Sequence, residues 1–217
     1  MENNLSEWVE YNMLDCDDRD ITSLPESIGS LSNLNSLRCS SNLLTILPNS
    51  ICNLSNLALL FCHTNELKSL PDSIGSLSNL IILWCNENQL TYLPDSIGSL
   101  SNLQRLNCSS NQLTSLPESI GSLSCLESLI CHNNQLTKLP ESIESLSKLE
   151  LLFCHNNQLT NLPESIRNLP ESIRNLPELN VANELKEYLK NRREIKRILN
   201  EQLIIDLDTV SIILSFI

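Results

Sequence analysis

The sequence predicts an α/β fold. It is a right-handed leucine-rich solenoid with a concave parallel sheet of seven short strands, short helical or 3₁₀ turns on the convex side, and a helical C-terminal cap. Three observations carry this. A Leu-Pro step returns with a 23-residue period, at Leu24-Pro25, Leu47-Pro48, Leu70-Pro71, Leu93-Pro94, Leu116-Pro117, Leu139-Pro140 and Leu162-Pro163. Each unit reads L-x-x-L-x-C-x-x-N-x-L-x-x-L-P-x-x-I-x-x-L-x-x-L, as in Leu103–Leu126. Within the unit, alternation of apolar and variable residues gives way to apolar residues three apart, the pattern of a strand followed by a helical turn. Units of this length bury their apolar side only by stacking on their neighbours.

The elements follow in order. Leu5, Trp8 and Tyr11 lie one period before Ile28, Leu31 and Leu34, so residues 1–10 read as a half-repeat that caps the first core layer. Repeats fill residues 11–182, beginning at Tyr11, Leu34, Leu57, Leu80, Leu103, Leu126 and Leu149. In each, L-x-x-L-x-C predicts a strand with one side in the core, and a fixed period without hairpins makes the strands parallel and in register. Asn42, Asn65, Asn88, Asn111, Asn134 and Asn157 follow the strands, where a side-chain amide can pair backbone groups of the inward turn. After each Leu-Pro step, proline and an acid suit the first turn of a helix. Glu26, Asp72, Asp95, Glu118, Glu141 and Glu164 form a row there, read as a solvated face.

The register breaks in the last repeat, where PESIRNL occurs twice in tandem from Pro163 to Leu176. Leu176, Leu179 and Val181 echo the strand motif and leave an eighth strand open. From Asn183 the spacing is helical, with Leu185, Tyr188, Leu189, Arg192, Ile195, Leu199 and Leu203 on one broad side and Lys186, Lys190, Arg192, Arg193, Lys196 and Arg197 as its basic residues. Residues 183–217 thus read as a helical cap and tail, with a membrane-surface or partner-binding helix as the alternative. The apolar end, Asp208–Ile217, calls for burial against this chain or another.

Composition narrows the function. The net charge is −12, all of it in residues 1–182, which argues against nucleic acid as a partner. Seven of the nine cysteines, Cys16, Cys39, Cys62, Cys85, Cys108, Cys131 and Cys154, share one strand slot and read as reduced thiols filling the core. Residues stacked in parallel point the same way, which disfavours disulfides along the column. No apolar run follows Met1, and no stretch reaches the length of a membrane span. The expected compartment is therefore intracellular, the cytoplasm (a host's cytoplasm if the chain is viral).

The 23-residue L-P-x-x-I-x-x-L form resembles the leucine-rich repeat family, most closely its Ras-suppressor type. With Cys in the strand and N-Q-L-T-x-L-P after it, the chain is also similar to repeat proteins of giant DNA viruses and amoebae. The closing DLDTVSIILSFI faintly resembles the opening of an F-box, which would imply a ubiquitin-ligase adaptor, but the remainder of that motif is missing. The main resemblance implies recognition of a protein through the concave face of the sheet, with no cofactor and no enzymatic turnover.

On that face the template leaves alternate strand positions free. One row reads Asp15, Arg38, Phe61, Trp84, Asn107, Ile130 and Phe153; another reads Met13, Ser36, Leu59, Ile82, Arg105, Ser128 and Leu151. Large apolar residues gather at Leu59, Phe61, Ile82 and Trp84, and again at Ile130, Leu151 and Phe153. Exposed aromatics on a concave face mark a contact surface, the alternative being that curvature is slight and neighbouring side chains cover one another. His63, His132 and His155 line its rim, next to cysteines that point the opposite way, so a shared metal ion is not expected. No nucleophile elbow, phosphate loop or calcium loop is present, and Gly29, Gly75, Gly98 and Gly121 share one repeat slot. The reading is a non-catalytic interaction module with a protein partner, the alternative a structural protein that self-associates through its ends.

Overall fold

A computed structural model of the chain describes residues 9–160. The expected Trp8 cap, the PESIRNL duplication, the eighth strand at 176–183, and the C-terminal helix and tail all lie outside them.

The described residues form one sheet in simple sequential order, β1 to β8. Seven strands are parallel: β2 (Met13–Asp15), β3 (Ser36–Arg38), β4 (Leu59–Phe61), β5 (Ile82–Trp84), β6 (Arg105–Asn107), β7 (Ser128–Ile130) and β8 (Leu151–Phe153). Every neighbouring pair is joined at an offset of one repeat, as in Leu83↔Leu106↔Leu129↔Leu152. The 23-residue period thus becomes a sheet without slippage.

Of the expected half-repeat only the end lies within the described residues. Its last residues form β1 (Val9–Glu10), which runs antiparallel to β2 with Val9 opposite Leu14. Tyr11 and Asn12 connect them, both with positive φ (50° and 62°), the conformation of a tight primed hairpin turn. Asn tolerates that region well.

Across from the sheet, five of the six described turns are five-residue 3₁₀ segments: Glu26–Ser30, Asn49–Asn53, Asp95–Ser99, Glu118–Ser122 and Glu141–Ser145. Each follows an extended proline whose carbonyl accepts the first bond of the turn, as Pro117 does from Ile120 N–H at 3.0 Å. Proline has no N–H to lose there and holds φ near the value required. The sixth turn, Ile74–Ser76, is shorter, although Ile74 N–H still donates to the Pro71 carbonyl at 3.0 Å.

Glycine explains both the regularity and the exception. A Cβ on Gly29 would lie 2.6 Å from the Ser50 carbonyl oxygen, and one on Gly98 would meet that of Ser119. Glycine lets successive turns stack at this distance. Cys52 occupies the same slot one repeat after Gly29, and the turn that must stack on it is the short one. The side chain of Cys52 is buried there instead.

The core lies between sheet and turns as continuous columns. Leu14, Leu37, Leu60, Leu83, Leu106, Leu129 and Leu152 come from the strands, while Ile28, Ile51, Ile74, Ile97, Ile120 and Ile143 come from the turns. Six cysteines of the strand column are buried and Cys154 is half-buried. Cys16 Sγ donates to the Arg38 carbonyl at 3.0 Å, and Cys39, Cys62 and Cys85 each reach the corresponding carbonyl at 3.4 Å. Burial pushes the Cys108 thiol up to about 12 and Cys154 up to about 11, so these groups stay protonated and unreactive.

The asparagine column closes the inward turns. Asn111 Nδ2 donates to the carbonyls of Cys85, Cys108 and Ser109 at 3.0–3.1 Å, and its Oδ1 accepts from Leu90 N–H at 2.9 Å. Asn134 makes the equivalent set one repeat later. Each amide ties its own turn to the preceding repeat. A second ladder runs near the turns, where Asn56, Asn79 and Asn102 donate to Ser32, Ser55 and Ser78 carbonyls at 2.8–2.9 Å.

A candidate partner-binding face

Strand pairing sets the positions of the variable residues. Phe61, Trp84, Asn107, Ile130 and Phe153 stand in one row, and Leu59, Ile82, Arg105, Ser128 and Leu151 in the next. Their neighbours in each strand point into the core, because successive strand residues alternate sides.

The large apolar members expected to stand exposed are half-buried: Leu59, Phe61, Ile82, Trp84, Ile130, Leu151 and Phe153. Side chains one strand apart cover each other. Phe61 and Trp84 meet edge to face, with ring centroids 5.1 Å apart and planes at 79°. His63 leans on Trp84 as well, at 6.1 Å and 54°. Arg38 lies over the Phe61 ring at 5.7 Å and is held by Asp17, whose Oδ2 accepts from Nε at 2.9 Å. A continuous run from Asp17 through Arg38, Phe61 and Trp84 results.

His132 and His155 form a second cluster. Their rings stack at 4.5 Å with planes 12° apart, and neither Nδ1 has a hydrogen-bond partner. Burial, and after it the charge of His155, holds the His132 imidazole down at about 4; burial lowers His155 and His63 as well. Among the described residues no group of three or more His, Cys, Asp or Glu side chains is placed to hold a metal.

Between the two apolar patches the face is polar. Ser128 is buried, and Asn107 Oδ1 accepts from Ser109 Oγ at 2.7 Å. The acids of the first repeat lie at the other end, where Asp15 and Asp17 bracket Arg38 at 3.5 and 2.9 Å.

Other features do not show in the sequence pattern. Leu43, Ile46 and Tyr92 are exposed away from the strands, at 45%, 62% and 47%. Tyr92 borders a shallow groove of about 500 Å³ with Asp72, Pro94, Asp95, Ser115 and Pro117. Two acids of the outer row are engaged rather than merely solvated: Glu26 accepts from Ser50 N–H and Glu118 from Ser142 N–H, both at 3.2 Å. Each of these bonds bridges one turn to the next.

The comparisons with known proteins agree with the stacked 23-residue unit. A profile of leucine-rich repeat regions matches residues 13–115 and 85–200. The chain belongs to the leucine-rich repeat family.

Among solved structures, a leucine-rich repeat protein of Leptospira interrogans is 32% identical, with a TM-score of 0.57 over 71% of this chain and 45% of that one. The ectodomain of the Arabidopsis thaliana receptor kinase GASSHO1/SCHENGEN3, solved in complex with CASPARIAN STRIP INTEGRITY FACTOR 2, is 32% identical. It covers 68% of this chain and 18% of its own length, with a TM-score of 0.64. An internalin of Listeria monocytogenes is 26% identical, with a TM-score of 0.62 over 78% of this chain and 45% of that one. The leucine-rich repeat chain therefore spans less than half the length of each of these structures. No curated protein matches it. The family and fold are those of interaction modules that are generally non-enzymatic. Among the described residues no helix is long and apolar enough to cross a membrane.

Proposed function

We propose that this leucine-rich repeat chain is a non-catalytic module that binds a protein partner through the concave face of its sheet. The observation that carries the reading is the Phe61–Trp84 pair, flanked by Leu59 and Ile82, in positions that the core does not need. Half-buried aromatics in a preset arrangement lose little side-chain freedom on binding, which is what makes such residues anchors. The GASSHO1/SCHENGEN3 ectodomain, solved in complex with CASPARIAN STRIP INTEGRITY FACTOR 2, supports a binding role for the fold. Nine unpaired thiols suit a reducing, intracellular setting.

The test is affinity capture from an extract of the source cells by the full chain and by Trp84→Ala and Phe153→Ala, with circular dichroism as the control for folding. Capture lost in both variants, with the spectrum unchanged, is the expected outcome. Undiminished capture by both sinks the assignment to this face.

A further inference from the structure

The concave face has two apolar patches rather than one. Trp84 ends the first and Ile130 begins the second, with Asn107 between them in the same row. Two strand steps of roughly 4.8 Å place these edges about 10 Å apart. Seven residues of an α-helix rise about 10.5 Å and return to the same side, so anchors one heptad apart match the gap. An extended segment covers about 10 Å in three residues, and residues three apart then point to opposite sides.

Backbone chemistry points the same way. Strands β3 to β7 are paired on both edges, so they offer a ligand no free ladder groups. A segment lying on the apolar rows must satisfy its own backbone, as a helix does.

Charge sets the character of its other side. Residues 10–160 hold 15 carboxylates against six Lys and Arg, a net −9. Asp17, Asp18 and Glu87 are close enough to act on His63, beside the first patch. Glu127 and Glu150 stand directly before β7 and β8. Arg38 is engaged by Asp15 and Asp17, and Arg105 stands at the interruption between the patches. We infer that this face takes an amphipathic helix with a basic polar side, laid across the strands with two apolar anchors one heptad apart. The inference rests on the concave face being the binding surface.

The test uses the full chain carrying Trp8→Phe, which leaves Trp84 as the only tryptophan. Three labelled synthetic helical peptides serve as probes. The first has a Lys-rich polar side and Leu anchors one heptad apart; the second replaces Lys with Glu; the third keeps the composition of the first with its Leu residues five apart. Anisotropy and Trp84 emission are read at low and at raised salt. The first peptide is expected to bind with a blue shift of Trp84, to weaken with salt, and to lose about 10-fold in affinity on Ile130→Ala or Phe153→Ala with the fold intact. The second and third are expected to bind at least about 10-fold more weakly. No binding, equal binding of any two peptides, or indifference to Ile130→Ala and Phe153→Ala overturns the inference. If capture from extract still depends on Trp84 while the helix fails, only the helical partner is lost. If capture is also indifferent to Trp84, the surface assignment falls too.

Discussion

Asn111 Nδ2 donates to three carbonyls, of Cys85, Cys108 and Ser109, that also accept from Asn88, Asn134 and Glu87 N–H, and its Oδ1 accepts from Leu90 N–H. Replacing it with Ala leaves the Leu90 N–H unpaired, at about 1–3 kcal/mol, and takes one of two bonds from each carbonyl. Asn111→Ala is therefore expected to lower stability by about 1–3 kcal/mol in urea denaturation. Asn111→Asp should be no rescue, since a carboxylate cannot donate to the three carbonyls. His132 gives a pH-dependent counterpart. Its native ring resists protonation until about pH 4, whereas the unfolded ring takes a proton near 6.5. The stability it contributes is complete above pH 6.5 and is lost as pH falls toward 4. His132→Asn, the residue that Asn86 supplies in the same column, should flatten that acid limb by about 1–2 kcal/mol, the partial exposure of the ring reducing the full conversion of the shift. Denaturation midpoints at neutral pH and just above the native pKa check this. The backbone just before each ladder asparagine was not legible in the sequence. Ser41, Thr64, Glu87, Ser110, Asn133 and Asn156 all have φ near 50°. Only the last two are residues that signal this conformation, and Thr64 argues against it. The adjacent amide network holds it in place.

At the scale of single elements, the turns depend on a slot without a Cβ. Gly98→Ala would press a methyl group against the Ser119 carbonyl and is expected to cost about 1–3 kcal/mol. Cys52→Gly removes the side chain that coincides with the shortened turn at Ile74–Ser76. It should allow a five-residue turn there and be neutral or stabilising, apart from lost burial of the thiol. Hydrogen exchange at Ser73–Ser76 in wild type and variant tells the two outcomes apart. The strands were legible because each of their core columns holds one residue type. The hairpin of β1 was not, since Tyr-Asn is a weaker turn signal than Asn-Gly and the repeat template pointed to a different structure. The half-burial of Phe61 and Trp84 was legible only as an alternative, because mutual cover depends on side chains one repeat away along the chain.

For the whole molecule the governing fact is that every parallel pair is joined at the same offset. Removing Leu83–Arg105, one repeat, joins Ile82 to Leu106 and restores the strand motif across the junction. This chain is expected to fold, with lower stability because a nearest-neighbour interface has gone. Removing one residue fewer, Leu83–Gln104, leaves an extra residue inside the joined strand. The two sides of the junction are then out of phase, so one of them must turn its apolar residue away from the core. This second deletion should unfold at a lower urea concentration than the first, and equal midpoints would count against register as the governing constraint. The columns of Leu, Asn and Cys made the solenoid readable from sequence. The binding face was readable only in part, since its residues carry information through being different from repeat to repeat.

The common offset also limits how a surface of this kind can change over time. Gain or loss of a unit between the two apolar patches moves them apart or together by one strand, about 4.8 Å, and alters nothing inside either patch. The distance between anchors is consequently inherited in whole steps, whereas the identity of each anchor is free to drift by point substitution. Recombination between near-identical repeats can retune the span of recognition, and ordinary mutation its chemistry, without either process disturbing the other.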